Sequence, residues 1–111
     1  MITVSLSYKD VRDLWKLVHW KWSTYPGKQY EEARRILLKK LQEMGCIADQ
    51  YSDRIYTTKL DYSIELENEL WKRLYLMYVC GQTNIKGTYE DRAHFEVTRY
   101  TIENQLNDAQ S

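Results

Sequence analysis

The stretch YKDVRDLWKLVHWKW, residues 8 to 22, limits the fold more than any other part of the chain. Tyr8, Val11, Leu14, Trp15, Val18 and Trp22 recur at spacings of three and four, which puts them on one side of a 3.6-residue helix. A helix with so heavy an apolar stripe must bury it, so whatever else the chain forms has to pack against this segment. Trp20 lies off the stripe, among Lys16, His19 and Lys21. That position predicts either a core wrapped around the helix or an aromatic side chain facing a partner.

Start and stop signals extend the reading. Ser7 with Asp10 resembles a capping box with Asp in place of Glu, so helix one is expected from Tyr8 to Trp22. The turn that follows, Ser23 to Gly27, holds the only proline, Pro26. Tyr30, Ala33, Leu37, Leu41 and Met44 predict helix two over 28–44, stopped by Gly45, with Glu31 and Arg35 in the favourable i, i+4 order. Residues 46–60 read as loop with some strand formers. Two patterns then overlap: Leu60, Tyr62, Ile64 and Leu66 alternate with period two, whereas Ile64, Leu70, Trp71, Leu74, Met77 and Tyr78 suit a helix. The longer pattern predicts helix three over 61–79, ended by Gly81. Helix four is expected from about Thr88 to Leu106, with Tyr89, Ala93, Val97 and Tyr100 on one side and Phe95, Ile102 and Leu106 on another, and with 107–111 frayed.

Ile2, Val4 and Leu6 alternate with Thr3, Ser5 and Ser7 as a short half-buried strand does, and residues 55–58 are its expected partner. The fold expected is therefore mainly α, a single-domain bundle of about four helices over 1–111 with a minor N-terminal strand, and an α+β domain is the alternative. With 43% apolar residues, a chain of 111 residues can build one core. Its longest apolar run, Leu74 to Cys80, is far short of the roughly 18 residues that cross a bilayer, so no membrane partner is expected. The opening MITVSLS lacks the basic and apolar regions of a signal peptide, which points to a cytoplasmic protein.

Catalytic and metal chemistry find little support. Cys46 and Cys80 each sit beside a glycine at an expected helix end and are read as unbridged thiols. Asp91 and His94, three apart, with Glu90 one turn before His94, have the spacing of half a di-metal helical site, but no matching pair completes it and a capping cluster is the simpler reading. No glycine-rich phosphate loop and no nucleophile with its base stands out, so no enzyme, no cofactor and no metal is expected.

Recognition is the better-supported class. Ten tyrosines and four tryptophans exceed what so small a core can hide, and Tyr, Trp and Arg dominate binding hot spots. Residues 1–44 carry net charge +4 and residues 45–111 carry −4. The expected contact surface is Trp20 with Lys16, His19, Lys21, Arg34, Arg35, Lys39 and Lys40. The leading reading is a small soluble protein-binding regulator or stoichiometric inhibitor, acting on an enzyme or complex that handles nucleic acid. The alternatives are direct nucleic-acid binding, with those cations on phosphates and Trp20 stacked on a base, and a helical scaffold that forms a homodimer through Leu74 to Cys80. On the bland reading, the basic cluster only faces Glu65, Glu67 and Glu69 of the same chain.

Overall fold

The computed structural model describes residues 1–19, 28–52, 54–81 and 89–110. The elements run β1 (Ile2–Ser7), α1 (Tyr8–His19), α2 (Lys28–Glu43), β2 (Ile47–Ala48), β3 (Ile55–Tyr56), β4 (Asp61–Leu66), α3 (Asn68–Gly81) and α4 (Tyr89–Gln110). The expected mainly α bundle with a minor N-terminal strand is thereby corrected to a mixed α+β fold, the alternative reading. Among the described residues, four helices pack with two small antiparallel sheets, one of β1 and β4 and one of β2 and β3.

The correction turns on residues 61–66. They form a strand, and helix three begins only at Asn68. Tyr62, Ile64 and Leu66 are buried, while Asp61, Ser63 and Glu65 are exposed, so the period-two alternation was the local signal and the helical spacing belonged to the residues after it. β1 pairs with β4, not with 55–58, in the register Val4↔Ile64, Ser5↔Ser63, Leu6↔Tyr62. Strand β3 pairs instead with β2, antiparallel, in the register Ile47↔Tyr56 and Ala48↔Ile55. The backbone N–H of Tyr8 donates to Leu60 O at 2.8 Å, carrying the ladder into the first turn of α1.

Local signals set the helix ends. Ser7 and Asp10 make the reciprocal box: the Asp10 N–H reaches Ser7 Oγ at 3.2 Å, and the Ser7 N–H reaches Asp10 Oδ2 at 3.1 Å. At the other end of α2, Gly45 has φ of +90°, the Cys46 N–H reaches back to Leu41 O at 2.9 Å and the Gly45 N–H to Gln42 O at 3.0 Å. That is a Schellman stop, and it requires a residue at ease in the left-handed region. A side chain there would also approach Thr58 Oγ1 to 3.1 Å. At the C-terminus, α4 runs on through 107–109, residues expected to fray.

The core lies between the inner face of the β1–β4 ribbon and the helices. Val4, Leu6, Tyr62, Ile64 and Leu66 meet Val11, Leu14, Trp15 and Val18 of α1, Leu37 and Leu41 of α2, and Phe95 and Ile102 of α4. Helix α3 is central, touching α1, α2 and α4, and its Leu74 and Met77 are fully buried. Trp71 is buried as well, and its Nε1–H donates to Ile2 O at 2.9 Å, which ties α3 to the start of β1. Of the stretch expected as a dimer face, Leu74 and Met77 are core, Tyr75 is half-buried and Leu76 is exposed, while the side chains of 78–80 lie outside the described residues.

Candidate functional site

Only part of the expected contact surface falls within the described residues. Trp20 and Lys21 lie outside the described residues, as does the His19 side chain, and Lys16 is half-buried. On α2 the four cations separate. Arg34 is half-buried, and desolvation lowers its pKa against the opposing pull of Glu31. Arg35 pairs with Glu32 at 3.9 Å, both side chains well exposed, in place of the expected Glu31. Lys39 and Lys40 line a groove of about 610 Å³ between α2 and the junction of β4 with α3.

That groove contains Glu32, Glu43, Glu65, Glu67 and Glu69 against Lys39, Lys40 and Arg73, around the apolar Ile36, Leu66 and Leu70. A phosphate backbone entering it would meet more carboxylates than cations, the opposite of what counterion release requires. Lys39 and Lys40 therefore share a wall with Glu65, Glu67 and Glu69 of their own chain.

A different surface presents itself at β2 and β3. Ile47 and Tyr56 are cross-strand partners, and the two residues are 65% and 53% exposed. Tyr51, in the turn between the strands, is 89% exposed, and Leu60, just before β4, is 74% exposed. The ribbon is nevertheless well held. Asp49 donates its N–H to Arg54 O at 2.9 Å and accepts the Tyr51 N–H on Oδ1 at 2.8 Å, and Ser52 Oγ accepts the Arg54 N–H at 3.2 Å. Beneath it Ile55 and Cys46 are buried, Cys46 as a free thiol. The buried Tyr62 hydroxyl accepts the N–H groups of Thr58 and Lys59 at 3.0 Å each and so fixes the turn into β4. A braced backbone thus displays large apolar side chains to water. Sequence reasoning passed over these residues because strands of two residues are too short to show a period.

The third cluster joins α1 to α4. Asp10 Oδ1 accepts the hydroxyl of the fully buried Thr98 at 2.6 Å, while Oδ2 accepts the Ser7 hydroxyl at 3.0 Å. His94 Nε2 lies 3.0 Å from Asp13 Oδ2 and 3.8 Å from Asp10 Oδ1, at ion-pair distance but without hydrogen-bond alignment. His94 thus turns to α1; the Asp91 side chain lies outside the described residues. Among the described residues no group of three or more His, Cys, Asp or Glu could hold a metal ion. Thr98 is sealed from solvent, so its bond to Asp10 clasps α4 to α1.

No protein-family model, curated protein or solved structure matches the chain. Among the described residues no helix is long and apolar enough to cross a membrane.

Proposed function

We propose that the chain is a protein-binding module, a regulator or stoichiometric inhibitor, that engages another protein through the β2–β3 ribbon. The observation that carries this reading is the exposed Ile47–Tyr56 pair with Tyr51 in the turn between them. Covering an Ile or Tyr side chain of this kind stabilises a complex by roughly 1.5–3 kcal/mol each before association costs. Tyrosine in particular offers large area at little conformational entropy, and it can keep its hydroxyl bonded within the interface. Direct binding of nucleic acid has less support, because the cations of α2 are half-buried, paired or set among glutamates.

The test compares the chain with a variant carrying Ile47→Ser, Tyr51→Ser and Tyr56→Ser. Each protein is immobilised, exposed to extract of the native host, and the retained proteins are quantified. A partner held by the parent chain and lost at least tenfold by the variant, with an unchanged melting temperature, is the expected result. Equal retention by both, or retention of labelled oligonucleotide that weakens steeply between two salt concentrations, would sink the proposal.

A further inference from the structure

The two open edges of the β1–β4 ribbon are treated differently. Along β1, the Gln105 side chain of α4 acts as a substitute strand: its Oε1 accepts the Ser5 N–H at 2.7 Å, and its Nε2 donates to Ser5 O at 2.8 Å. Both backbone groups of Ser5 therefore point away from β4. Ser5 faces Ser63 in the register, so this is a pair without mutual hydrogen bonds, and both backbone groups of Ser63 point away from β1. By alternation the N–H and C=O of Asp61 and Glu65 point the same way. Among the described residues nothing takes these groups, and all three residues are exposed. An open row of backbone donors and acceptors is a template for a further strand.

The geometry points to strand addition at β4: an extended segment of a partner protein pairs with Asp61–Glu65, carrying cationic residues where it passes Asp61 and Glu65. The charge of the outer face selects this occupant. Asp61 and Glu65 stand on the same side of the strand, with only the uncharged Ser63 between them on that face; Glu65, which also lines the groove with Lys39 and Lys40, accepts a long 3.4 Å bond from Thr3 Oγ1. A cation directly across from each is favourable by the rule for cross-strand pairs. A second copy of the chain is disfavoured by the same rule. Antiparallel pairing of two β4 strands about Ser63 would set Asp61 against Glu65 of the other copy, like charge opposite like charge. Such a segment binds largely through its main chain, with side chains adding selectivity. This inference rests on the reading of the chain as a protein-binding module, but it uses a different surface from the Ile47–Tyr56 ribbon.

The probes are two labelled extended peptides of about nine residues, alternating Thr and Val, with Lys in one and Glu in the other at the two places that fall opposite Asp61 and Glu65. Fluorescence anisotropy with the full chain should show the Lys peptide bound about tenfold or more tighter than the Glu peptide at low salt. Ser63→Pro removes only an outward-pointing N–H, which proline tolerates at a sheet edge, and it should weaken the Lys peptide about tenfold while far-ultraviolet circular dichroism stays unchanged. Asp61→Lys with Glu65→Lys should invert the preference, and this variant serves as the test where the proline variant does not fold. Equal affinity for both peptides, no binding of either, or binding indifferent to Ser63→Pro in a folded variant would overturn strand addition. So would sedimentation showing a dimer of the parent chain that Ser63→Pro dissolves, because the edge would then belong to a second copy. A partner whose capture depends on Ile47, Tyr51 and Tyr56 while neither peptide binds would leave the broader reading standing and remove this one.

Discussion

Asp10 serves two structural roles at once. One carboxylate oxygen closes the capping box with Ser7, and the other takes the hydroxyl of Thr98, 88 residues away in sequence. Only the first half of that role was legible in the sequence, because a cap is a matter of spacing and a clasp requires knowing which helix lies opposite. Asp10→Ala removes the cap and leaves a buried hydroxyl without its acceptor, so it should cost about 2–4 kcal/mol in urea unfolding. Thr98→Val should cost about 1 kcal/mol, and the double variant less than the sum of the two, because the lost contact is shared. Strict additivity would show that the 2.6 Å contact does not stabilise the fold. His94 illustrates the converse. Its spacing from Asp91 suggests a capping cluster rather than half of a di-metal site, and the packing of α4 on α1 turns it to Asp13.

At the scale of elements, residues 60–66 show how two valid patterns compete. Leu60, Tyr62, Ile64 and Leu66 satisfy a strand, and Ile64 with Leu70 and Trp71 satisfies a helix; the outcome depends on whether a partner strand is within reach. β1 supplies it, across a sequence separation that no local period records. Gln105 shows a similar dependence on context. On sequence it is a polar residue near the end of helix four, and in the fold it closes the edge of β1 at Ser5. Gln105→Ala should therefore raise the hydrogen-exchange rate of the Ser5 amide about tenfold or more while Val4 and Leu6, bonded to β4, stay protected. Unchanged protection at Ser5 would mean that the side-chain amide does not guard this edge. Global stability should fall by only about 1 kcal/mol, because the freed groups return to water.

At the scale of the whole molecule, the docking of α3 on α4 should weaken at high pH. The Tyr75 hydroxyl has its pKa raised above the ordinary 10.0, first by burial and then by the Glu103 carboxylate, to which it donates a hydrogen bond. In the folded state the proton is held more tightly than in the unfolded chain. Its contribution is thus fully present below pH 10 and is lost as pH rises from there through the folded value. Stability measured by denaturant from about pH 8 to about pH 11 should fall more steeply for the parent chain than for Tyr75→Phe. Parallel curves would show that Tyr75 does not couple the two helices to protonation. Burial decided which aromatic residues do what at this scale. Trp15, Trp71 and Tyr62 went to the core, while Tyr51, Tyr56 and Tyr100 kept more than half of their surface in water.

The sequence alone determined whatever depends on neighbours within a few turns: the stripe of α1, the Ser7–Asp10 box, the Gly45 stop and the alternation of β1. Caps, stops and periods are set by spacing along one chain segment, so reading the segment is enough. The tertiary structure decided that β4 is a strand, that Lys39 and Lys40 share a groove with glutamates, and that Ile47, Tyr51 and Tyr56 face outward. Each of those outcomes depends on what lies across a gap of many residues. Pairing, charge compensation and burial are properties of two surfaces together, and the second surface exists only once the chain has folded.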